Sequence, residues 1–129
     1  MKAKTFEDMK VWQDSRDFVK SIYELTASNN FAKDYGLKDQ IQRAAVSIMN
    51  NIAEGFERDG NKEFVQFLSI AKGSSGETRS QLYRAMDQHY IDDSEYKFLY
   101  NNLINVSIKI KNMMSYLKKS GLSGDKFKK

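Results

Sequence analysis

The chain has 129 residues, which is the length of one domain and enough to enclose a single hydrophobic core. It has no cysteine and no proline, which excludes disulfides and thiolate metal sites and favours long helices joined by short links. Its composition is 40% hydrophobic and 29% charged with a net charge of +4, and no stretch is apolar enough for a membrane span or a secretory signal, so we expect a cytoplasmic protein without membrane contact.

Apolar side chains recur every three or four residues in four long segments, which is the period of an amphipathic helix. The first predicted helix covers residues 7–27, and polar residues 28–30 follow it. The second predicted helix covers residues 35–58, with Leu37 as an alternative start.

The third predicted helix covers residues 62–89, and Asn61 is its expected cap. The fourth opens at Asp92–Ser94 and carries the most regular apolar pattern of the chain, and we expect it to end at Gly121. Four such helices with short links predict an all-α, antiparallel up-down-up-down four-helix bundle over residues 1–120.

Residues 121–129 are predicted to be a flexible basic tail. The segment 118–129 has five lysines and one acid, so that it carries the whole net charge, and the other residues balance with 16 basic and 16 acidic side chains. Such a segment can contact phosphates without sequence preference, although charge runs are more often solvated ends. The five lysines are Lys118, Lys119, Lys126, Lys128 and Lys129.

The second predicted helix is apolar on more than one side. Ile48 and Ile52 share one face, while Val46, Met49 and Ala53 lie on the opposite side. A helix that is apolar nearly all round is buried nearly all round, and a four-helix bundle leaves one face outward. We therefore expect the second face to contact another subunit of a homo-oligomer.

The third predicted helix contains the small residues Gly73-Ser74-Ser75-Gly76 in its interior. Each glycine costs a helix about 1 kcal/mol relative to alanine, so the segment needs a tertiary explanation. The favoured explanation is a close helix crossing or a kink, since small residues permit close backbone approach. The alternative is a notch for a ligand.

A group of polar residues recurs at helical spacing on the second and third helices. Antiparallel pairing of these helices would bring Arg43 close to Glu77. One interpretation is a structural network of Ser47, Asn51, Glu54 and Glu77 that determines helix register. The other is phosphate binding by arginines, whose planar donors suit that ligand. The arginines are Arg43, Arg58, Arg79 and Arg84.

Four tyrosines, Tyr83, Tyr90, Tyr96 and Tyr100, have the chemistry to stack on bases. Tyr96 and Tyr100 also fit the apolar pattern of the fourth helix, and core packing is the favoured role for them.

Enzymatic chemistry has little support in the sequence. The one histidine, His89, has no Glu-x-x-His context and is expected to be a capping or surface residue. No serine has a base and an orienting group at a recognisable spacing, and the glycines at 73 and 76 are not followed by the lysine of a phosphate-binding loop. We therefore expect no catalytic residue, no metal and no cofactor.

Several motifs resemble a known family when their order and spacing are taken together. They are Val11-Trp12-Gln13, Gln40 to Ile48, Asn51-Ile52-Ala53-Glu54-Gly55 with Arg58, and Ile70 to Glu77. They are similar to those of the 23S rRNA intervening-sequence proteins, or S23 family, over residues 6–117. One departure is Met49, where relatives often have proline, so that we expect a straighter second helix here.

The resemblance implies a bundle that forms a homo-oligomer, with a pentameric ring as the implied assembly. It also implies possible partners, since similar proteins serve as accessory factors of diversity-generating retroelements and associate with a reverse transcriptase and nucleic acid. The sequence therefore favours a non-enzymatic, self-assembling bundle that binds RNA, DNA or a nucleic-acid-processing protein. The alternative is a protein-only adaptor or structural oligomer without nucleic-acid contact.

Overall fold

All regular structure is helical in residues 3–124, the part of the chain that the computed structural model describes, with side chains as far as residue 120. The main helices are α1 (Lys10–Thr26), α2 (Tyr35–Glu57), α3 (Asn61–Asp87) and α4 (Asp93–Gly124). Each helix packs against the next, and α1 also packs against α4. The predicted antiparallel four-helix bundle is confirmed. Within the described residues, no helix is long and apolar enough to cross a membrane.

Two short 3-10 helices, Phe6–Asp8 and Asn29–Lys33, precede α1 and α2. The first places Phe6 edge-on against Trp12, with ring centroids 5.0 Å apart. The second buries Phe31, which stacks on Tyr90 at 5.1 Å. The predicted first helix is therefore too long at its start, because the chain turns at Met9 before α1 begins.

The predicted ends of two helices differ from the structure. α4 continues to Gly124, so the predicted end at Gly121 is wrong, since one glycine lowers helix stability without preventing the helix. Asn61 is the first residue of α3, and Gly60 takes the N-cap position at φ 101°. The Asn61 amide instead donates to the Leu117 carbonyl oxygen of α4 at 3.2 Å, which ties the two helices together.

The hydrophobic core lies along the bundle axis and takes side chains from every main helix. In α4 the predicted apolar pattern is buried, except that Tyr96 and Met113 are half-buried at its edge. The fully buried core side chains include Ile22, Ile41, Ile48, Ile52, Leu68, Leu82, Leu103 and Ile110.

The closest approach of two helices occurs between α2 and α3, at Gly55. A Cβ atom there would lie 2.8 Å from Cδ1 of Phe64 and 2.9 Å from Cβ of Phe67, which no real side chain tolerates. Gly73 and Gly76, by contrast, have no described atom within 4 Å of such a Cβ. In the segment Gly73–Gly76 the predicted close packing therefore occurs at the buried serines, where Ser74 bonds to Ser47 of α2, and not at the two glycines.

A charged cluster centred on Asp14 connects α1 to α4. The Asp14 carboxylate accepts hydrogen bonds from Lys109 and from Asn105, the latter at 3.2 Å, and pairs with Lys10 at 3.2 Å. Burial by itself would raise the pKa of Asp14, but the hydrogen bonds and charges of the two lysines outweigh burial and lower that pKa.

Candidate functional site

The polar residues of α2 meet those of α3 at one point. The hydroxyl oxygens of Ser47 and Ser74 are hydrogen-bonded at 2.8 Å across the helix interface. The Asn51 side-chain amide donates to the Ser47 hydroxyl at 3.0 Å and to the Ser47 carbonyl oxygen at 2.8 Å. Because Ser74 is buried, these hydrogen bonds join α2 and α3 inside their interface.

Two predicted members of the network lie outside it. Glu54 is exposed and pairs with Arg58 on its own helix at 2.7 Å. Glu77 is exposed and has no hydrogen bond or ion pair with any described side chain. The sequence pattern identified Ser47 and Asn51 on α2 and the small-residue segment that contains Ser74 on α3, but it did not connect Ser74 to this network.

The arginines on α2 are both paired within that helix. Arg43 pairs with Asp39 at 2.9 Å, so the predicted pair of Arg43 with Glu77 is wrong, because a partner one turn away is closer than one across the interface. Arg58 pairs with Glu54, and its guanidinium also lies 4.8 Å from the centre of the Phe67 ring. Both charges are therefore largely balanced locally.

Arg84 of α3 has uncharged partners. It donates to the side-chain oxygen of Gln40 at 2.7 Å and to that of Gln81 at 2.9 Å. Gln81 is buried and also donates to Gln40 at 3.3 Å. The amides orient the guanidinium without pairing with its charge, and that charge also helps to lower the pKa of the Asp34 carboxyl at the start of α2.

Arg79 lies on the other side of α3, near α4. Its charge acts on the hydroxyl of Tyr96, which sits between Tyr83 and Tyr100. The ring centroids of Tyr83 and Tyr96 are 5.3 Å apart, and those of Tyr96 and Tyr100 are 5.5 Å apart with planes 28° from parallel. Desolvation, and then the neighbouring Tyr83 hydroxyl, raise the pKa of Tyr96 to about 12. Tyr96 is half-buried and packs against the hydrophobic core, as predicted, whereas Tyr100 is half-buried and lies at the edge of the bundle.

The predicted cationic residues thus do not form one patch. Arg43, Arg58 and Arg84 lie on or beside the α2–α3 interface, whereas Arg79 lies toward α4. Lys118 and Lys119 are exposed on the last turns of α4. Lys126, Lys128 and Lys129 lie outside the described residues.

The second apolar side of α2 is only half-covered in the single chain. Val46, Met49 and Ala53 are each half-buried. Phe6 of the first 3-10 helix lines a surface cleft together with Ala53 and Glu54. The chain's own amino-terminal segment therefore reaches this side of α2.

The bundle end that holds the α1–α2 and α3–α4 links has a polar cluster that the sequence patterns missed. Asp34 caps α2 by accepting from the Leu37 backbone at 3.1 Å and from the Tyr90 hydroxyl at 2.9 Å. These two hydrogen bonds lower the pKa of Asp34. The hydrogen bond between Tyr90 and Asp34 also raises the pKa of Tyr90. An aspartate directly before a helix start is an N-cap signal that could have identified it.

His89 is exposed in the turn after α3 at φ 62°, which fits the predicted surface residue. Between residues 3 and 124 no group of three histidine, aspartate or glutamate side chains is placed to hold a metal ion.

Comparison with known proteins places this bundle among its relatives. The profile of the family described as 23S rRNA-intervening sequence protein matches residues 7–112. Among solved structures, one similar protein is of unknown function, from the S23 ribosomal protein family of Bacteroides thetaiotaomicron, at 1.70 Å resolution. It is 24% identical, with a TM-score of 0.74, over 81% of this chain and 97% of that chain. No curated protein sequence matches the chain significantly.

The likeness to the solved structure concerns the fold alone at this level of identity. The profile match is broader evidence, since residues 7–112 include α1, α2, α3, the Ser47–Ser74 contact and most of α4. The chain therefore belongs to the family of 23S rRNA-intervening sequence proteins.

Proposed function

We propose that this protein is a non-enzymatic, self-assembling bundle that binds nucleic acid directly through unneutralised cations on α3 and α4. The observation that carries the proposal is the contrast between two pairs of arginines. Arg43 and Arg58 are bound to carboxylates on their own helix, whereas Arg79 and Arg84 have no carboxylate within 4.0 Å among the described residues. An arginine without a carboxylate is ready to receive a phosphate.

Electrostatic binding of this kind has a clear signature. Each phosphate contact releases counterions, so that the affinity falls as salt rises, with a logarithmic slope of about 0.9 per contact on duplex DNA. Lys118 and Lys119 would add contacts near the end of α4. The family name refers to sequences within rRNA, which makes RNA the first ligand to test.

The test is fluorescence anisotropy with labelled RNA and DNA, single-stranded and duplex, between about 50 mM and 200 mM salt. We expect Arg79→Gln with Arg84→Gln to weaken binding and to reduce the salt slope by about two contacts. Deletion of residues 118–129 should weaken it further. Arg43→Gln is the matched control, because Asp39 already neutralises that charge. Absence of binding at the lowest salt would refute direct binding.

Self-assembly is supported by the half-buried apolar side of α2. Val46→Asp or Ala53→Glu should lower the mass measured by light scattering, since each places a charge in the proposed subunit contact. A ring of five chains is the assembly that the family resemblance implies. A monomeric mass for the unmodified chain would refute this part.

A protein-only adaptor is the second candidate, and exposed apolar side chains favour it. Ile70, Phe98 and Ile108 are each more than half exposed, and a partner protein would bury them. Such an adaptor could recruit a nucleic-acid enzyme such as a reverse transcriptase. Capture of that partner would then persist after nuclease treatment and after deletion of residues 118–129.

A further inference from the structure

The outer edge of the α3–α4 pair carries a row of three aromatic rings. Tyr83 of α3 packs against Tyr96 of α4, which stacks in turn on Tyr100 one turn later. Tyr83 is 53% exposed, while Tyr96 and Tyr100 are half-buried. The ring planes of Tyr83 and Tyr96 are 50° apart, and about half of Tyr83 is open to solvent.

Core packing accounts for one ring of this row, since Tyr96 packs against the core. The core positions of α4 next to it are Leu99 and Leu103, which are buried and aliphatic. Tyr83 lies outward from that core and is the exposed ring of the row. Stacked aromatic rings at a surface are the common platform for unpaired nucleic-acid bases.

Cations follow the rings along the same edge. On α3, Lys72, Gly76, Arg79 and Tyr83 are four, three and four residues apart and so share one side of the helix. On α4, Lys111 follows Tyr100 by 11 residues, about three turns, and Lys118 follows Lys111 by seven, about two turns, so both lie on the same side.

The two rows are aligned against each other by contacts at both ends. Tyr83 meets Tyr96 at one end, and the Asn61 amide reaches the Leu117 carbonyl oxygen at the other. The edge therefore runs from the tyrosines to Lys118, and Tyr96 to Lys118 spans about 33 Å of helix.

The charges along this edge favour an anion. Lys72, Lys111 and Lys118 are exposed, and neither they nor Arg79 lie within 4.0 Å of a carboxylate among the described side chains. On α4 no acidic residue lies between Tyr96 and Ser120, whereas Asp87, Asp93 and Glu95 lie at or beside the turn beyond the tyrosines. On α3, the exposed Glu77 precedes Arg79 by two residues and is not ion-paired with a described side chain. A polyanion would thus extend from the rings toward Lys118 and away from the turn.

Gly76 leaves room in the middle of the edge. A Cβ atom there would meet no described atom within 4 Å, although Arg79 and Tyr83 lie one and two turns away on the same side. The small residue keeps the edge shallow between the rings and Lys72, where a strand could pass.

We propose that this tyrosine-cation edge binds single-stranded nucleic acid, with an unpaired base stacked on the exposed Tyr83, which Tyr96 and Tyr100 support from behind, and the backbone phosphates along Arg79, Lys72 and Lys111. The inference rests on the proposed nucleic-acid binding and adds the form of the ligand to it. Stacking tolerates any base, so the edge selects unpaired strands over duplexes without selecting a sequence.

The experiment compares four labelled ligands of equal length: single-stranded RNA, single-stranded DNA, an abasic strand and a duplex. We expect the unmodified protein to bind both single strands at least tenfold more tightly than the abasic strand and the duplex. Tyr83→Ala should remove about tenfold from single-strand affinity only, whereas Tyr83→Phe keeps the ring and should keep the affinity. Arg79→Gln should weaken all four.

Tyr35→Ala is the matched control, because Tyr35 is 76% exposed at the start of α2 and belongs to no stack. Thermal melting checks that each variant folds. Equal affinity for single-stranded and abasic ligands, or an unchanged preference in Tyr83→Ala, would overturn the stacking proposal and leave direct nucleic-acid binding standing. Failure to bind any of the four at low salt would overturn both proposals.

Discussion

Helix α3 presents two different surfaces to its neighbours. Toward α2 the surface is close-packed, since Phe64 and Phe67 lie over Gly55 and the Ser47–Ser74 hydrogen bond joins the helices. Toward the outer edge of α4 it is more open and aromatic, with Tyr83 packed at 50° against Tyr96 and unfilled space at Gly76. One helix thus combines a close-packed interface with an open edge, where we propose binding.

The largest expected effect lies on the close-packed side. Gly55→Ala should destabilise the bundle by about 1–3 kcal/mol, because the new methyl group overlaps the Phe67 Cβ atom, which cannot move without the backbone. The cost of this overlap outweighs the gain in helix propensity from glycine to alanine. Urea unfolding measures the change, and a variant as stable as the parent would show that α2 and α3 can separate freely.

The next prediction compares two adjacent serines. Ser74→Ala should cost about 1 kcal/mol, because it removes the hydrogen bond to Ser47. Ser75 is more deeply buried, but its hydroxyl has no partner among the described residues, so Ser75→Ala should be neutral or stabilising.

A double-mutant cycle of Ser47→Ala with Ser74→Ala separates the contact from the loss of each side chain. Urea unfolding of the four proteins should give a coupling of about 0.5–1.5 kcal/mol. Additive effects would mean that the hydrogen bond does not determine helix register.

On the open side of α3, replacing a glycine with alanine should raise the stability of the bundle. Gly76→Ala and Gly73→Ala should each stabilise the bundle by about 0.5–1 kcal/mol, since alanine favours the helix and meets no neighbour. Chemical unfolding measures both. Destabilisation at Gly76 in an oligomer, but not at Gly73, would place another subunit against the edge.

The smallest effect at neutral pH is expected for Tyr96→Phe, whose consequence is confined to alkaline solution. The pKa of Tyr96 is about 12 when folded against an ordinary 10.0, so between these values the unfolded chain binds fewer protons and stability falls as pH rises. Tyr96→Phe should lessen that fall. In an absorbance titration at alkaline pH, the Tyr96→Phe variant should lack the tyrosine that ionises last in the parent protein. An unchanged titration would contradict the assignment of the highest tyrosine pKa to Tyr96.

The sequence by itself determined the four helices and their antiparallel order, because a period of three to four apolar residues is a local property of the chain. It also identified the family through the order of motifs over most of its length, and the α2 side of the polar contact through Ser47 and Asn51. The ion pair of Arg43 with Asp39 could also have been predicted from the sequence, since the two residues are four apart on one helix.

Only the tertiary structure decided which small residues pack closely and which surfaces stay open. The sequence does not distinguish Gly55 from Gly73 and Gly76 as helix-interior glycines, yet of these three only Gly55 lies in close contact with a neighbouring helix. Tyr96 satisfies the apolar period of α4 but sits at the edge beside Tyr83, a residue on another helix. Periodicity gives the direction of a side chain around its own helix, whereas contact depends on the rotation and separation of two helices, which result from the packing of the whole core.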